Sequence, residues 1–472
     1  MRLPGFIGPT YVAASHAAAA ERCINLFPEV IEAPGERAVR AILRSKPGLV
    51  VHTTLPDVPV RALFYHFTGR CFAVAGQGFY EIFLDQTWQQ RGTVGTVASA
   101  QMATNGPQII VVCGSRGYIF DIGTGGFTQI TADGWVGAVN VGCIDGYFLT
   151  ADIGSRNWRI SGLLDGLSWD PLEFAVKEGG PDPIVALVCD HREAWLMGSN
   201  TIEVWWNAGA ADFPFQRIQG VFIELGCAAP LSAVRMDNSV FWLGQDERGN
   251  GMVWRAESYA PKRISNHAIE AAIKTYSRID DARAFAYQDD GHAFYVLSFP
   301  TADATWVFDA SNGLWHERAY WDLGVGAWTA DRVRTHCFAW GKHLVGDREN
   351  GRVYWQTTTA YDDAGAPMRR LRQAPNVNNE LNWITYQQFE LFMQTGTVGP
   401  SQDPTVILQA SNDGGFTWGN EMQAKAGRIG DYRHRVEWRR LGRSRNRAFR
   451  VIVDAAIPVF LLDAFVDLKA EG

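Results

Sequence analysis

The residue types that most often carry chemistry are scattered along this chain. Its ten histidines form no H-x-x-H, H-E-x-x-H or H-x-H pattern, so their spacing offers no zinc site. His336 and His343 could approach each other across a hairpin, but no third ligand follows nearby. A carboxylate pair for glycoside hydrolysis could still be assembled from distant acids. We therefore predict no catalytic, metal-binding or cofactor-binding residue, and no enzymatic activity.

The sharpest local motif runs from Ser411 to Trp418 and reads Ser-Asn-Asp-Gly-Gly-Phe-Thr-Trp. It fits S-x-D-x-G-x-T-W and resembles the Asp box of sialidases and related propellers. We expect a tight turn in which Asp413 accepts hydrogen bonds from turn amides and Gly415 takes a positive φ. In those families the box is structural and lies away from the active site. We therefore assign a structural turn to four residues, which are Ser411, Asp413, Gly415 and Trp418.

The strongest concentration of charge lies between Arg428 and Arg450, where nine arginines accompany only two acids. Arginine pairs with phosphates and carboxylates and is enriched at interfaces. The segment could therefore contact DNA phosphates or an acidic partner surface. It could also be the solvated face of a hairpin, because its arginines alternate with apolar residues. We favour a contact role, and the candidate interface consists of Arg435, Arg439, Arg440, Arg443, Arg445 and Arg447.

The elements that must position these side chains are short strands, because one hairpin pattern recurs along the chain. Its clearest copy runs from Ala194 to Trp206, with Ser199-Asn200 at the turn and a β-branched, aromatic second strand. The other turn points lie near Gly76, Gly114, Ala151, Gly244, Pro300 and Gly346. Their spacing of roughly 40–55 residues is the period of four-stranded propeller blades, which predicts about seven blades.

The extent of the repeat predicts the domain boundaries of an all-β chain. We predict a β-propeller over residues 58–355, a polar linker over 356–385 and a small antiparallel β-sandwich over 386–472. Residues 1–57 do not fit the repeat and form an N-terminal arm and closing segment. They could supply a strand that closes the last blade, or they could pack on a neighbouring subunit. Between blades, residues 264–276 predict a short helix with Ser265 or Asn266 as its N-cap.

Composition agrees with this fold and limits the classes of function that the chain could have. The 472 residues include 48 glycines, 18 tryptophans and 26 phenylalanines, as many tight turns and short strands require. A net charge of −7 gives no general case for nucleic-acid binding. Seven cysteines without a C-x-x-C pair indicate free thiols in a reducing compartment. No apolar run reaches the ~18 residues of a membrane span, and no secretory signal is recognisable, so we expect folding in a cytoplasm.

Several motifs occur here in the order in which they occur in one known family. They are Arg44-Ser-Lys-Pro-Gly-Leu49, Gly198-Ser-Asn-Thr-Ile-Glu203, Ile269-Glu-Ala-Ala-Ile-Lys-Thr-Tyr276, the Asp413-Gly414 turn and Trp438-Arg-Arg-Leu-Gly-Arg443. From about residue 24 to the C-terminus, the chain resembles the packaged-DNA stabilisation proteins, or tail hubs, of short-tailed bacteriophages. The resemblance implies a virion structural protein of the tail that is assembled in the host cytoplasm.

The resemblance also implies partners. Such hubs form a homo-oligomeric ring, typically a hexamer, below the portal and adaptor proteins. They help to retain packaged DNA, with non-specific DNA contact, and they carry the tail needle and tailspikes. The alternative function is a glycan-binding or sialidase-like propeller, which would show several Asp boxes rather than one. A WD40-like scaffold would show Trp-Asp pairs at the blade period, and the two such pairs in this chain do not recur in that way.

Overall fold

A computed structural model describes residues 1–32, 41–96, 99–246, 248–397 and 403–470 of the chain. In these ranges, six separate four-stranded sheets and four strands of an eleven-stranded sheet form the seven blades of a propeller. The rest of the eleven-stranded sheet and a six-stranded sheet form a sandwich, and two further strands form a hairpin. The predicted fold class, an all-β propeller followed by a β-sandwich, is confirmed.

The strands follow the chain in blade order. Five strands precede the ring, and they are β1 (Tyr11–Val12), β2 (Ala20–Ile24), β3 (Leu26–Val30), β4 (Ala41–Ser45) and β5 (Gly48–Thr54). Blade 1 contains β6 (Val60–Tyr65), β7 (Cys71–Ala75), β8 (Gly78–Ile82) and β9 (Trp88–Thr93). Blade 2 contains β10 (Gln101–Thr104), β11 (Gln108–Cys113), β12 (Arg116–Asp121) and β13 (Phe127–Gln129). Blade 3 contains β14 (Ala138–Ile144), β15 (Tyr147–Asp152), β16 (Asn157–Ile160) and β17 (Phe174–Val176).

Blade 4 contains β18 (Ile184–Asp190), β19 (Glu193–Gly198), β20 (Ile202–Asn207) and β21 (Phe215–Ile223). Blade 5 contains β22 (Val234–Met236), β23 (Ser239–Gln245), β24 (Gly251–Glu257) and β25 (Ala260–Arg263), and helix α1 (His267–Lys274) follows it. Blade 6 contains β26 (Arg283–Asp289), β27 (His292–Phe299), β28 (Ala304–Asp309) and β29 (Leu314–Glu317). After the hairpin of β30 (Ala319–Asp322) and β31 (Ala327–Ala330), blade 7 contains β32 (Val333–Ala339), β33 (Lys342–Asp347) and β34 (Arg352–Thr357).

The C-terminal strands build most of the sandwich. They are β35 (Arg370–Gln373), β36 (Val377–Asn378), β37 (Ile384–Met393), β38 (Thr405–Ser411), β39 (Met422–Lys425), β40 (Val436–Arg439), β41 (Arg443–Ser444), β42 (Asn446–Val453) and β43 (Phe460–Ala470).

The hairpin of β19 and β20 shows why a blade forms where the sequence repeats. Its turn closes through the N–H of Gly198, which donates to the carbonyl of Thr201 at 2.8 Å. The carboxylate of Asp182 accepts the N–H groups of Asn200 and Thr201 at 2.8 and 3.0 Å, and it pairs with the buried Lys177 ammonium at 2.7 Å. Burial acts to raise the pKa of Asp182, but the hydrogen bonds from Lys177 and the turn outweigh it and lower the pKa to about 2.

The predicted helix between blades 5 and 6 is confirmed. The side chain of Asn266 accepts the N–H of Ile269 at 3.0 Å and so caps the first turn. Glu270 lies in the first turn and Lys274 in the last, where each complements the helix dipole. Ile269 and Ile273 bury one face of the helix against blade residues.

The ring closes through a strand from the N-terminal segment. Strand β5 pairs antiparallel with β34, from Gly48 opposite Thr357 to Thr54 opposite Arg352, and it forms the outer strand of blade 7. This pairing covers the sheet edge that β34 would otherwise expose. Of the two roles considered for residues 1–57, β5 performs the closing one.

The rest of the N-terminal segment belongs to the sandwich, which differs from the predicted arm. Strand β2 pairs with β35 and β3 with β4, and β4 continues the sheet through β43, β37 and β40. Residues 356–385 likewise differ from the predicted linker, because they contain β35 and β36 and the first residues of β37. The pairings of β2 with β35 and of β4 with β43 join residues more than 300 positions apart, so no local pattern in the sequence indicates them.

One buried ion cluster lies where the sandwich meets the ring. Lys46, between β4 and β5, places its ammonium 3.2 Å from Asp363 and 3.6 Å from Asp331, and all three side chains are buried. Burial acts to lower the pKa of Lys46, but the two carboxylates outweigh it and raise the pKa. Burial raises the pKa of Asp363, and Asp331 adds to this effect against Lys46. The cluster therefore ties the N-terminal crossover to both neighbouring segments.

Candidate interface on the C-terminal sandwich

The arginine-rich segment forms one edge of the second sandwich sheet. Strand β40 pairs with β37, with Arg439 opposite Gln388, and β41 pairs with the beginning of β37. Between the two strands the backbone turns at Arg440, which has a positive φ of 61° and donates its N–H to the carbonyl of Gln387 at 2.8 Å. The turn is held to β37 by backbone hydrogen bonds, so it presents its side chains from a fixed position.

Five of the six predicted interface arginines are exposed, and they are Arg435, Arg439, Arg440, Arg443 and Arg445. Two of them make ion pairs within the sandwich. The Nε of Arg435 donates to Glu390 at 2.8 Å, and a guanidinium nitrogen of Arg439 lies 2.9 Å from Glu437. The hydrogen bond and the charge of Glu390 raise the pKa of Arg435. Local carboxylates therefore balance these two charges. The other three exposed arginines are Arg440, Arg443 and Arg445.

The exposed ring of Trp383 contacts two of these three arginines, Arg443 and Arg445. The guanidinium carbons of Arg443 and Arg445 lie 4.9 and 5.0 Å from the ring centroid of Trp383, which is 40% exposed. Cation–π contact of this kind orders both guanidinium groups beside the exposed ring. We call Trp383, Arg440, Arg443 and Arg445 the arginine surface.

The sixth predicted residue, Arg447, lies in the interior and leaves the candidate interface. It is 4% exposed, and its guanidinium donates to the carbonyls of Leu441 and Arg443 at 2.5 and 3.2 Å. The Nε of Arg447 donates to the side-chain oxygen of Asn412 at 2.8 Å, and its guanidinium carbon lies 4.4 Å from the ring centroid of Tyr386. Arg447 therefore positions the turn that carries the arginine surface instead of contacting a partner.

The Asp-box motif forms the beginning of the connection between β38 and β39 of the sandwich. The carboxylate of Asp413 accepts the N–H of Thr417 at 3.0 Å and the hydroxyl of Ser411 at 2.6 Å. The N–H of Gly415, which has a φ of +99°, donates to the hydroxyl of Ser411 at 2.8 Å. Hydrogen bonds from Ser411 and Thr417 hold the pKa of Asp413 below its usual range. All of these bonds are internal to the turn.

The ring of the fourth motif residue, Trp418, contacts the guanidinium group of Arg450. The guanidinium carbon of Arg450 lies 4.2 Å from the ring centroid of Trp418. On the other side of the turn, the ring of His16 stacks on Phe416 with centroids 4.9 Å apart. The N-terminal segment therefore packs against the motif.

The histidine pair that the sequence suggested does come together. His336 and His343 meet across the hairpin of β32 and β33, with Nε2 and Nδ1 3.0 Å apart, and burial and the neighbouring ring lower the pKa of His336 to about 3. Within the described ranges, no group of three or more His, Cys, Asp or Glu side chains could hold a metal ion. The helices of these ranges lack the length and apolar character of a membrane span.

Two further features escaped the sequence analysis, one on the surface and one in the central channel of the propeller. One is a set of exposed leucines and acids in blade 3, between β16 and β17 and just after β17. The other is a group of arginines at the beginnings of the innermost strands of three blades. In both cases the only available signal was the position of a residue within its blade, which becomes visible when the blades are aligned with one another.

Two sequence families match successive parts of the chain. One is described as Bacteriophage P22 Gp10, beta-propeller, and matches residues 13–361; the other is described as Bacteriophage P22 Gp10, beta-sandwich, and matches residues 369–469. The chain belongs to the bacteriophage P22 Gp10 family. Its resemblance to the tail hubs and DNA-stabilisation proteins of short-tailed phages is thereby confirmed. This P22 Gp10 family member is a structural protein of a phage tail, and it assembles in the virion with other virion components.

No curated protein sequence matches the chain. Among solved structures, it is similar to a chain of the mitotic checkpoint complex, with 9% identity, TM-score 0.44, and coverage of 70% of this chain and 96% of that one. It is also similar to the N-terminal domain of Nup159 (9% identity, TM-score 0.41, coverage 71% and 99%). Virginiamycin B lyase from Staphylococcus aureus gives 11% identity, TM-score 0.42, and coverage of 64% and 96%. No functional conclusion follows from similarities at this level.

Proposed function

We propose that this P22 Gp10 family member is a tail hub that forms a ring, typically a hexamer, on the portal–adaptor assembly in the host cytoplasm. In this role it acts by assembly and not by catalysis. It helps to retain packaged DNA and carries the tail needle and tailspikes. The observation that carries the proposal is the arginine surface, which is exposed, ordered by Trp383 and presented by a turn that is fixed to β37.

A ring of identical subunits needs a second surface that complements the first, because each subunit contacts its neighbours through two different faces. Blade 3 supplies one. Between β16 and β17 the chain exposes Leu163, Leu164 and Leu172, and Leu172 is 83% exposed. Exposed acids accompany these leucines, and the one lysine of the segment, Lys177, is buried in its ion pair with Asp182. The leucine–acid surface comprises Leu163, Leu164, Asp165, Asp170, Leu172 and Glu178.

The order of the blades supports a head-to-tail contact between these two surfaces. The sandwich joins the ring at blades 6 and 7, where β2 meets β29 and where Lys46 bridges Asp331 and Asp363. Blade 3 lies three positions before blade 6, so a seven-bladed ring carries it on the side away from the sandwich. The arginine surface of one subunit can then meet the leucine–acid surface of the next. Apolar contact would contribute affinity, and charge complementarity would fix the orientation.

The alternative, a glycan-binding or sialidase-like propeller, receives no support from the position of the motif that suggested it. The Asp-box turn lies in the sandwich, and its hydrogen bonds are used within the turn. We therefore propose no glycan site.

Charge reversal tests the proposed contact. The triple variant Arg440→Glu, Arg443→Glu, Arg445→Glu should leave the fold intact, since all three side chains are exposed, and should abolish ring formation measured by native mass spectrometry. A matched control reverses three exposed arginines elsewhere, in Arg116→Glu, Arg248→Glu, Arg352→Glu. The control changes the net charge equally but lies outside the proposed contact, so it should assemble as the wild type does.

A compensating variant separates a specific contact from a general charge effect. Reversal of three acids of the leucine–acid surface, Asp165→Arg, Asp170→Arg and Glu178→Arg, should restore assembly when it is combined with the arginine triple in one chain. Rings that form equally well with the arginine triple alone would refute the contact. Loss of assembly in the control triple as well would show that net charge, and not this surface, governs the result.

A further inference from the structure

Two buried cysteines from neighbouring blades face each other at the boundary where the propeller closes. Cys71 is the first residue of β7 in blade 1, and Cys337 lies in β32 of blade 7. Their sulfur atoms are 4.0 Å apart. Both side chains belong to the hydrophobic cluster that packs blade 7 against blade 1, together with residues such as Val60 and Leu344. The pair therefore spans the boundary between the first and the last blade.

Backbone pairing holds each of the two thiols in its own blade. Cys71 pairs with Tyr65 of β6 and with Ile82 of β8, and Cys337 pairs with Leu344 of β33. A disulfide bond is about 2.05 Å long, so the two sulfurs must approach by about 2 Å, or roughly 1 Å each. We expect rotation about the side-chain bonds, with little movement of either strand, to bring the sulfurs together.

Burial makes the two thiols unequal in reactivity. Cys71 is 0% exposed, whereas Cys337 is 8% exposed. The hydrogen bond with Cys337, followed by burial, raises the pKa of Cys71 well above its ordinary value. Because the thiolate is the nucleophile, Cys71 reacts slowly with reagents from solvent. A small oxidant therefore reaches Cys337 first, and Cys71 is positioned to react with the product.

We propose that Cys71 and Cys337 are a modification site, at which a peroxide converts the two thiols into a disulfide that joins blade 7 to blade 1. The sulfur of Cys337 attacks one oxygen of hydrogen peroxide, the O–O bond breaks, and hydroxide leaves with the thiol proton as water. The sulfur of Cys71 then attacks the sulfenic sulfur of Cys337, the S–O bond breaks, and hydroxide leaves with the proton of Cys71 as a second water. The two thiols lose two electrons, and one peroxide is reduced to two waters.

A disulfide at this site would reinforce the closure that β5 provides. Strand β5 closes blade 7 by non-covalent pairing with β34. The two cysteines are 266 positions apart, so a bond between them would close most of the propeller into one covalent loop. A cross-link over a long loop stabilises mainly by restricting the unfolded chain. The disulfide would therefore raise stability without any new non-covalent contact.

The surroundings of a phage tail protein change when the particle leaves its host. Disulfides are rare in a reducing cytoplasm and persist in oxidising surroundings. The chain belongs to a family of phage tail proteins, so it becomes part of a particle that is released. We therefore expect the two thiols during folding and the disulfide in the released particle. The inference is independent of the proposed ring, because both cysteines lie within one chain.

Peptide mapping of the full-length protein tests the proposal. The folded protein is treated with hydrogen peroxide or with dithiothreitol, the reagent is removed, free thiols are alkylated in denaturant, and the chain is digested with trypsin. Trypsin cleaves after Arg and Lys, so the two cysteines fall in peptides 71–91 and 335–342, each of which contains one cysteine. We expect these peptides to be linked after peroxide and separate after dithiothreitol.

Thermal unfolding measures the effect of the bond on stability. The peroxide-treated protein should melt at least about 5 °C above the dithiothreitol-treated protein. In Cys337→Ala, peroxide should no longer raise the melting temperature. The matched control is Cys113→Ala, which removes another buried thiol, in blade 2 beside the Arg61 guanidinium. In this control the peroxide-dependent increase should stay within about 2 °C of the wild-type increase.

The wild-type protein decides the proposal even if a variant fails to fold. A folded, peroxide-treated protein without the linked peptide would overturn it. Sulfinic acid on Cys337 as the main product would overturn it as well, because Cys71 would then not have reacted. Cys143 and Cys189 also come from neighbouring blades, in β14 and β18. A link between those two cysteines, with Cys71 and Cys337 still reduced, would place the oxidation elsewhere and refute the site. A linked peptide with an unchanged melting temperature would refute its stabilising role.

Discussion

Replacement of Lys46 by methionine tests how the sandwich is joined to the ring. The change keeps much of the side-chain volume but removes the ammonium that lies between two buried carboxylates, at 3.2 Å from Asp363 and 3.6 Å from Asp331. Removal of one partner of a buried ion pair costs about 3–5 kcal/mol, because it leaves charge buried without compensation. Arg318 is close enough to act on the cluster and retains one cation, so we expect the lower value, about 3 kcal/mol.

The loss should depend on pH with a defined sign. Burial and Asp331 already raise the pKa of Asp363, and Lys46 is the main group that lowers it. In Lys46→Met the folded-state pKa of Asp363 therefore rises further above its unfolded value of about 3.9. The folded state then binds a proton more readily than the unfolded state, so the deficit is full above the folded pKa and shrinks as the pH falls toward about 4.

Urea denaturation followed by tryptophan fluorescence, at pH 8 and pH 5, measures this deficit in the apparent free energy of unfolding. The double variant Lys46→Met, Asp363→Asn should recover at least about 1.5 kcal/mol, since it removes one of the uncompensated carboxylates. A deficit below about 1 kcal/mol at pH 8 would refute the reasoning. So would a deficit that is the same at both pH values.

Two further predictions concern the hairpin of β19 and β20. Asp182→Ala should destabilise the protein by about 3–5 kcal/mol in denaturant titrations, because it leaves the buried Lys177 ammonium without its carboxylate. Since the folded pKa of Asp182 is about 2, its contribution should persist above about pH 4 and disappear as the pH falls toward 2. Gly226→Ala should cost at least about 2 kcal/mol, because the new Cβ would lie 1.9 Å from the carbonyl oxygen of Ser199. Gly123→Ala, whose Cβ would meet only a side-chain oxygen at 3.5 Å, should change the melting temperature little and serves as its control.

The propeller could be predicted from the sequence because each blade is local. A hairpin such as β19–β20 can be recognised within 15 residues from its apolar strands and its turn. Helix α1 can be recognised from Asn266 and from its buried face. The sandwich could be predicted only in part. Its strands β2 and β35 pair across about 350 residues, and neither carries a sign of its partner.

The candidate site shows the same limit at the level of single residues. The density of arginines indicated a contact surface, but density does not distinguish Arg443, which is exposed beside Trp383, from Arg447, which is buried. The burial of Arg447 depends on carbonyls of Leu441 and Arg443 that the turn brings together. Arg61, Arg283 and Arg334, which line the central channel of the propeller, were missed for a related reason, since they lie far apart in the chain and meet only when the ring closes.

We propose that the chain functions by assembling into a ring on the portal–adaptor complex. Negative-stain imaging of the purified full-length protein, alone and mixed with a portal–adaptor complex, is the decisive test of this assembly. We expect rings of about six copies, free or formed on the adaptor, in which each subunit contacts its neighbour head to tail. A protein that remains monomeric and does not bind the adaptor would contradict it.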